Sequence, residues 1–143
     1  MYTGLLHFHH WLPFLFWLLI AAVLVQNFLV WKGNNEYTPR LARNNKLLVI
    51  LAHIQVLVGL VMLFSYHTDM FEDMGSLMKN SDLRFKFIEH PMTMIIGAVL
   101  MTVGHSKSKK LSGENKAKAI VIWFGIAAVL IALRFPWNQF LAA

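Results

Sequence analysis

Four long apolar runs alternate with polar segments along the chain, at about 5–31, 47–66, 86–105 and 119–135. Each reaches the roughly 17–25 residues that an α-helix, rising about 1.5 Å per residue, needs to cross the hydrocarbon of a bilayer. The pattern predicts an all-α membrane protein. Its fold would be an antiparallel up-down-up-down four-helix transmembrane bundle, one domain over residues 1–143. The first run lacks a basic leader and a small-residue cleavage pattern, so it reads as a retained helix, with Pro13 as a candidate kink. Between the second and third runs lies the longest connection, where Met70, Met74 and Met78 at i, i+4 and i+8 predict a short amphipathic helix in the interface.

The third run organises the rest. It carries His90 near its start and His105 at its finish, fifteen residues or about 22 Å apart on a helix, so one imidazole lies near each membrane face. Fifteen steps of about 100° leave both rings in the same half of the helix, within about 60° of each other. Met94, Gly97, Met101 and Gly104 continue that face. Small residues there admit the close approach of another helix or of a flat cofactor. In the second run, His53 and Gln55 point in different directions, and Gln55 reads as a helix–helix hydrogen bond.

Composition agrees with a membrane solvent: 57% of the 143 residues are hydrophobic and only 14% charged, with a mean hydropathy of +0.54. The net charge of +6 sits in loops between apolar runs, which argues against nucleic acid as a partner and for a topological signal. Of thirteen Lys and Arg, nine fall in the two segments 32–46 and 105–118. By the positive-inside rule those two loops are cytoplasmic. Both termini would then face the periplasmic side of a bacterial inner membrane. The chain has no cysteine, which excludes disulfides, iron–sulfur clusters, thiolate-ligated haem and covalent haem attachment.

Seven histidines in so apolar a chain point to a site, because ionisable groups inside a bilayer are costly. A haem iron needs two imidazoles at similar depth on facing helices and a cation near the propionates. His10 with His90 meets that requirement, with His7 as a substitute for His10 and with Arg84, Lys86 and Arg134 at the same interface. His53 and His105 form a second, more offset pair toward the cytoplasm. Glu89 is a candidate proton carrier or a partner that orients His90.

The motifs LLHFHHW, AHIQVLVGL, RFKFIEHPMTM and VGHSKSKK, with a closing LRFPW, resemble small bacterial four-span membrane proteins labelled cytochrome b-like, over essentially the whole chain. The chain is also similar in outline to the four-helix b-type cytochromes. The resemblance implies b-type haem, with His10, His53, His90 and His105 as the carried-over candidates. It implies electron transfer in or near a respiratory complex, without catalysis by the chain alone. Two other readings stay open: a cofactor-free accessory subunit docked on larger membrane subunits, and a quinone-handling or metal-handling protein.

Overall fold

A computed structural model of the protein describes residues 1–142. α1 spans Tyr2–Trp31 and α2 spans Pro39–Tyr66. A 3-10 turn at Thr68–Phe71 and the short helix α3 (Met74–Lys79) lead to α4 (Ser81–Arg84). A π-helical turn at Phe85–Glu89 joins α4 to α5 (His90–Ser108), so that Ser81–Ser108 forms a single span. α6 covers Gly113–Leu133, and a last short helix, α7, covers Trp137–Leu141. α1, α2, Ser81–Ser108 and α6 are each long and apolar enough to cross a membrane. They pack in the cyclic order α1, α2, α5, α6, with α6 closing against α1. This is the all-α, antiparallel four-helix arrangement that the apolar pattern predicts. Both described termini and the 67–80 connection lie at one end, the histidine end. The turns 32–38 and 109–112 lie at the other, the lysine end.

Three of the helices, α2, α5 and α6, reach further into the lysine end than their apolar runs. α2 begins at Pro39, a residue that reads as a breaker in the sequence. Here it occupies the first turn, where its missing N–H costs nothing. Thr38 caps the helix by accepting Leu41 N–H on Oγ1 at 3.2 Å. α1 closes with Gly33 at φ +78. Gly33 N–H donates to Val30 O and Asn34 N–H to Leu29 O, a C-terminal cap that favours glycine. The methionine segment differs from expectation. It breaks at Glu72 and Asp73, and Asp73 starts α3 by accepting Ser76 N–H at 3.1 Å. Met74 and Met78 are exposed, and Leu77 is the residue α3 buries.

Each span contributes to one core: Val23 from α1, Leu48 from α2, Met101 from α5 and Phe124 from α6 are fully buried. Side chains on the outer faces, such as Leu18, Leu57, Val99 and Val129, are equally apolar and exposed, as lipid contact requires. Between such helices close packing, rather than transfer out of water, holds the bundle. The glycine face of α5 supplies it. A Cβ on Gly97 would lie 2.6 Å from Ile131 Cγ1, and one on Gly104 would overlap the Trp123 side chain. The close approach foreseen on that face is therefore made by α6.

Polar glue sits in the half of the bundle nearer the lysine end. Asn27 and Asn45 are fully buried and exchange side-chain hydrogen bonds, Asn27 Nδ2 donating to Asn45 Oδ1 at 2.8 Å. Asn27 Nδ2 also donates to Val23 O at 2.7 Å, and Asn45 Nδ2 to the Tyr37 hydroxyl at 3.0 Å. Nothing in the apolar pattern marks this pair.

Candidate cofactor site at the histidine end

A cavity of about 260 Å³ opens between the spans at the histidine end, lined among others by His9, Gln55, Gly59, His90, Met94 and Phe135. It lies slightly below the roughly 300–1,000 Å³ of common small-molecule sites and shares their character, a mostly apolar wall with a few placed polar groups. Two prolines shape it. Pro13, inside α1, has no N–H to give the carbonyl four residues back, which belongs to His9. Gln55 on α2 takes over that carbonyl, its Nε2 donating to His9 O at 2.7 Å. The proline and the glutamine thereby tie the backbone of His9 across the helix pair.

The second proline acts in the same way. Pro91 cannot bond the carbonyl of Phe87, and the helix widens just before it. His90 N–H reaches five residues back to Phe85 O, giving the π turn Phe85–Glu89. Such turns re-aim the side chains around them and recur at functional sites. Here Phe85, Lys86, Phe87 and His90 all line the cavity.

His90 and His9 face one another with ring centroids 6.5 Å apart and planes at 89°. His90 Nδ1–H donates to the Arg134 carbonyl at 3.0 Å. That bond assigns the proton to Nδ1 and leaves Nε2 with a free lone pair, the state of a metal-ligating imidazole held by a backbone carbonyl. His9 lies on α2 through Gly59, where a Cβ would come within 2.9 Å of His9 Cε1. His9 Nδ1 and Gln55 Oε1 are both buried without a hydrogen-bond partner. These two orphans share one cavity, where a ligand would complete their bonding; His10 Nε2, Trp17 Nε1 and His105 Nδ1 are unpartnered outside it.

The residues singled out in the sequence divide as follows. His90 lines the cavity, but the imidazole opposite it is His9. His10, one residue or about 100° further round the helix, packs against Trp11, Phe14 and Phe140 and is not a cavity residue. Arg84 and Arg134 are at the histidine end but are committed to Glu89, with Nε to carboxylate distances of 2.9 and 3.3 Å. Glu89 thus ties the start of the third span to the end of α6. Lys86 is the cation that lines the cavity.

The second pair is not assembled. His53 is exposed on α2, donates Nδ1–H to Val49 O at 2.7 Å and meets the Thr102 hydroxyl at 3.2 Å on Nε2. His105 sits three residues beyond Thr102 with its Nδ1 buried and unpartnered, and no hydrogen bond or ring contact joins it to His53 among the described residues. His67, which follows α2, lines the cavity and meets the Tyr2 hydroxyl at 3.1 Å on Nε2.

Two imidazoles from facing helices, that of His90 with its Nδ1 proton fixed by the Arg134 carbonyl, are the donor type that a b-type haem iron takes. No cluster of three or more His, Asp or Glu that could hold a bare metal ion occurs among the described residues. No family model, curated protein or solved structure matches the chain.

Proposed function

We propose that this chain is a small integral-membrane b-type haem protein, in which His9 and His90 are the residues that would hold the iron, and that it passes electrons to larger membrane subunits in or near a respiratory complex. The observation that carries the reading is the pair of facing imidazoles at 6.5 Å, with His90 Nε2 left free by its Arg134 bond. A bound haem supplies a one-electron iron couple at that position. The protein's own part is positional. The Arg134 carbonyl holds the His90 ring, Pro13 and Gln55 hold the backbone of His9, and Lys86 offers the charge nearest the cavity for a propionate. The apolar wall of Phe16, Met94 and Phe135 excludes water. In the cell the lysine end faces the cytoplasm of a bacterial inner membrane, so the haem lies in the periplasmic half.

The test is a reduced-minus-oxidised visible spectrum of the protein purified from haem-replete cells. A Soret and α-band difference at near one haem per chain supports the reading, and a flat spectrum removes it. A flat spectrum with a lipid-soluble quinone recovered by solvent extraction promotes a second reading, a quinone headgroup in the cavity. That reading is favoured by the modest 260 Å³ volume and by Gln55 Oε1 and His9 Nδ1 as unpartnered polar atoms. The cofactor-free accessory reading is weakened because its docking glycines are filled within the chain, Gly59 by His9, Gly97 by Ile131 and Gly104 by Trp123.

A further inference from the structure

The lysine end carries its charge unpaired. Among the described residues the only ion pairs are the two that Glu89 makes at the opposite end. The nine cations in 32–46 and 105–118 form no ion pair and outnumber the two carboxylates of those segments, Glu36 and Glu114, of which Glu114 lies beside Gly33. Two of them converge. Lys32, at the end of α1, places Nζ 4.5 Å from the centroid of the Trp31 ring, and Lys118, on the neighbouring helix α6, places its own 5.9 Å from the same ring. One indole thus gathers two ammonium groups from two helices that pack side by side. A cation–π contact offsets neither charge.

Below each lysine runs an exposed apolar strip at helical spacing. On α1 it is Phe28 and Val25, four and seven residues before Lys32. On α6 it is Ile122 and Ile126, four and eight residues after Lys118. Their exposures are 45%, 59%, 43% and 50%. Two cations at headgroup level, each above an apolar strip and joined by an interfacial tryptophan, match the chemistry of one ligand class. That class has an anionic phosphate at the top and hydrocarbon chains beneath.

We infer that the seam between α1 and α6 binds an anionic phospholipid, its phosphate between Lys32 and Lys118 and its acyl chains along Phe28–Val25 and Ile122–Ile126. This site lies at the opposite end from the His9–His90 cavity and does not depend on what that cavity holds.

The experiment uses the full chain in a mild neutral detergent, with thermal unfolding followed as phosphatidylglycerol, phosphatidylcholine or inorganic phosphate is added. Phosphatidylglycerol should raise the unfolding temperature saturably, and the other two should not. The exposed pair Lys32→Gln with Lys118→Gln should weaken the phosphatidylglycerol response on the order of tenfold or more, since each cation near an anionic headgroup contributes appreciably. Arg43→Gln with Lys110→Gln removes the same net charge at the same end and should leave the response intact. Equal protection by phosphatidylcholine would make the effect one of chain length alone. Equal protection by inorganic phosphate would make it a free-anion site, and an equal loss in both double variants would make it diffuse charge. Each of these three results overturns the proposal.

Discussion

His90 and Arg134 are joined by a 3.0 Å hydrogen bond from the imidazole Nδ1–H to the backbone carbonyl, and the guanidinium of the same arginine pairs with Glu89 at 3.3 Å. One residue at the end of α6 therefore fixes two consecutive residues of the third span, at the point where the π turn ends. The bond is main-chain on the α6 side, so substituting the Arg134 side chain spares it. Arg134→Ala should lower thermal stability modestly, because the exposed ion pair is worth roughly 0–1 kcal/mol, while His90 keeps its partner. The check is thermal unfolding of the variant together with its visible spectrum, which should keep the wild-type shape.

Pro13 and Gln55 should be energetically coupled. Gln55→Leu leaves the His9 carbonyl without a donor in an apolar setting and should cost about 1–2 kcal/mol. Pro13→Ala returns an N–H four residues after His9 and gives that carbonyl a helical partner. In a double-mutant cycle followed by unfolding in detergent, Gln55→Leu should cost less in the Pro13→Ala background. Strict additivity would show that the two residues act separately.

The glycines should differ in sign. Gly104→Ala puts a methyl into Trp123 and should destabilise by about 1–3 kcal/mol. Gly125→Ala meets nothing within 4 Å and should be neutral or stabilising by up to about 1 kcal/mol from helix propensity. Unfolding temperatures of the two single variants decide the matter.

How far the chain could be read in advance depends on what each feature needs. The four spans were legible because apolar length is a local property, and His90 was singled out by depth alone. The choice between His9 and His10 was not legible. Adjacent residues differ by about 100° around a helix, and the rotation of α1 is set by contacts such as the His9 ring on Gly59. The arginines were assigned by proximity to the interface, whereas Glu89, between them in space, engages both. The π turn had a signal in Pro91, whose missing N–H forces a change in the preceding turn. Pro13 likewise announced a free carbonyl at His9, but not that Gln55 would take it.

The charge asymmetry predicts the topology. Reporter fusions at Gly33, in the 32–38 turn, and at Gly113, the first residue of α6, both at the lysine end, should read cytoplasmic, and one at Gly75 external. An external signal at either of the first two would reverse the orientation proposed for the haem.

Alkaline pH should act through Tyr37. Burial raises the pKa of its phenol above the ordinary value, against a smaller opposite effect of its Asn45 hydrogen bond. The folded protein therefore holds that proton more tightly than the unfolded chain. The associated stability is fully present below the unfolded value near 10.0 and is lost as pH rises through the folded one. Between pH 9 and pH 11, about the range that brackets a tyrosine, Tyr37→Phe should lose less stability than the wild type. Parallel losses would locate the alkaline sensitivity elsewhere.

The central claim is that a haem is held between His9 and His90, and visible difference spectra of three single variants test it most directly. Wild type and His10→Ala should show the same reduced-minus-oxidised bands. His9→Ala and His90→Ala should lose them while the chain stays in the membrane. A wild-type spectrum without haem bands, or bands that vanish in His10→Ala and persist in His9→Ala, would contradict the account.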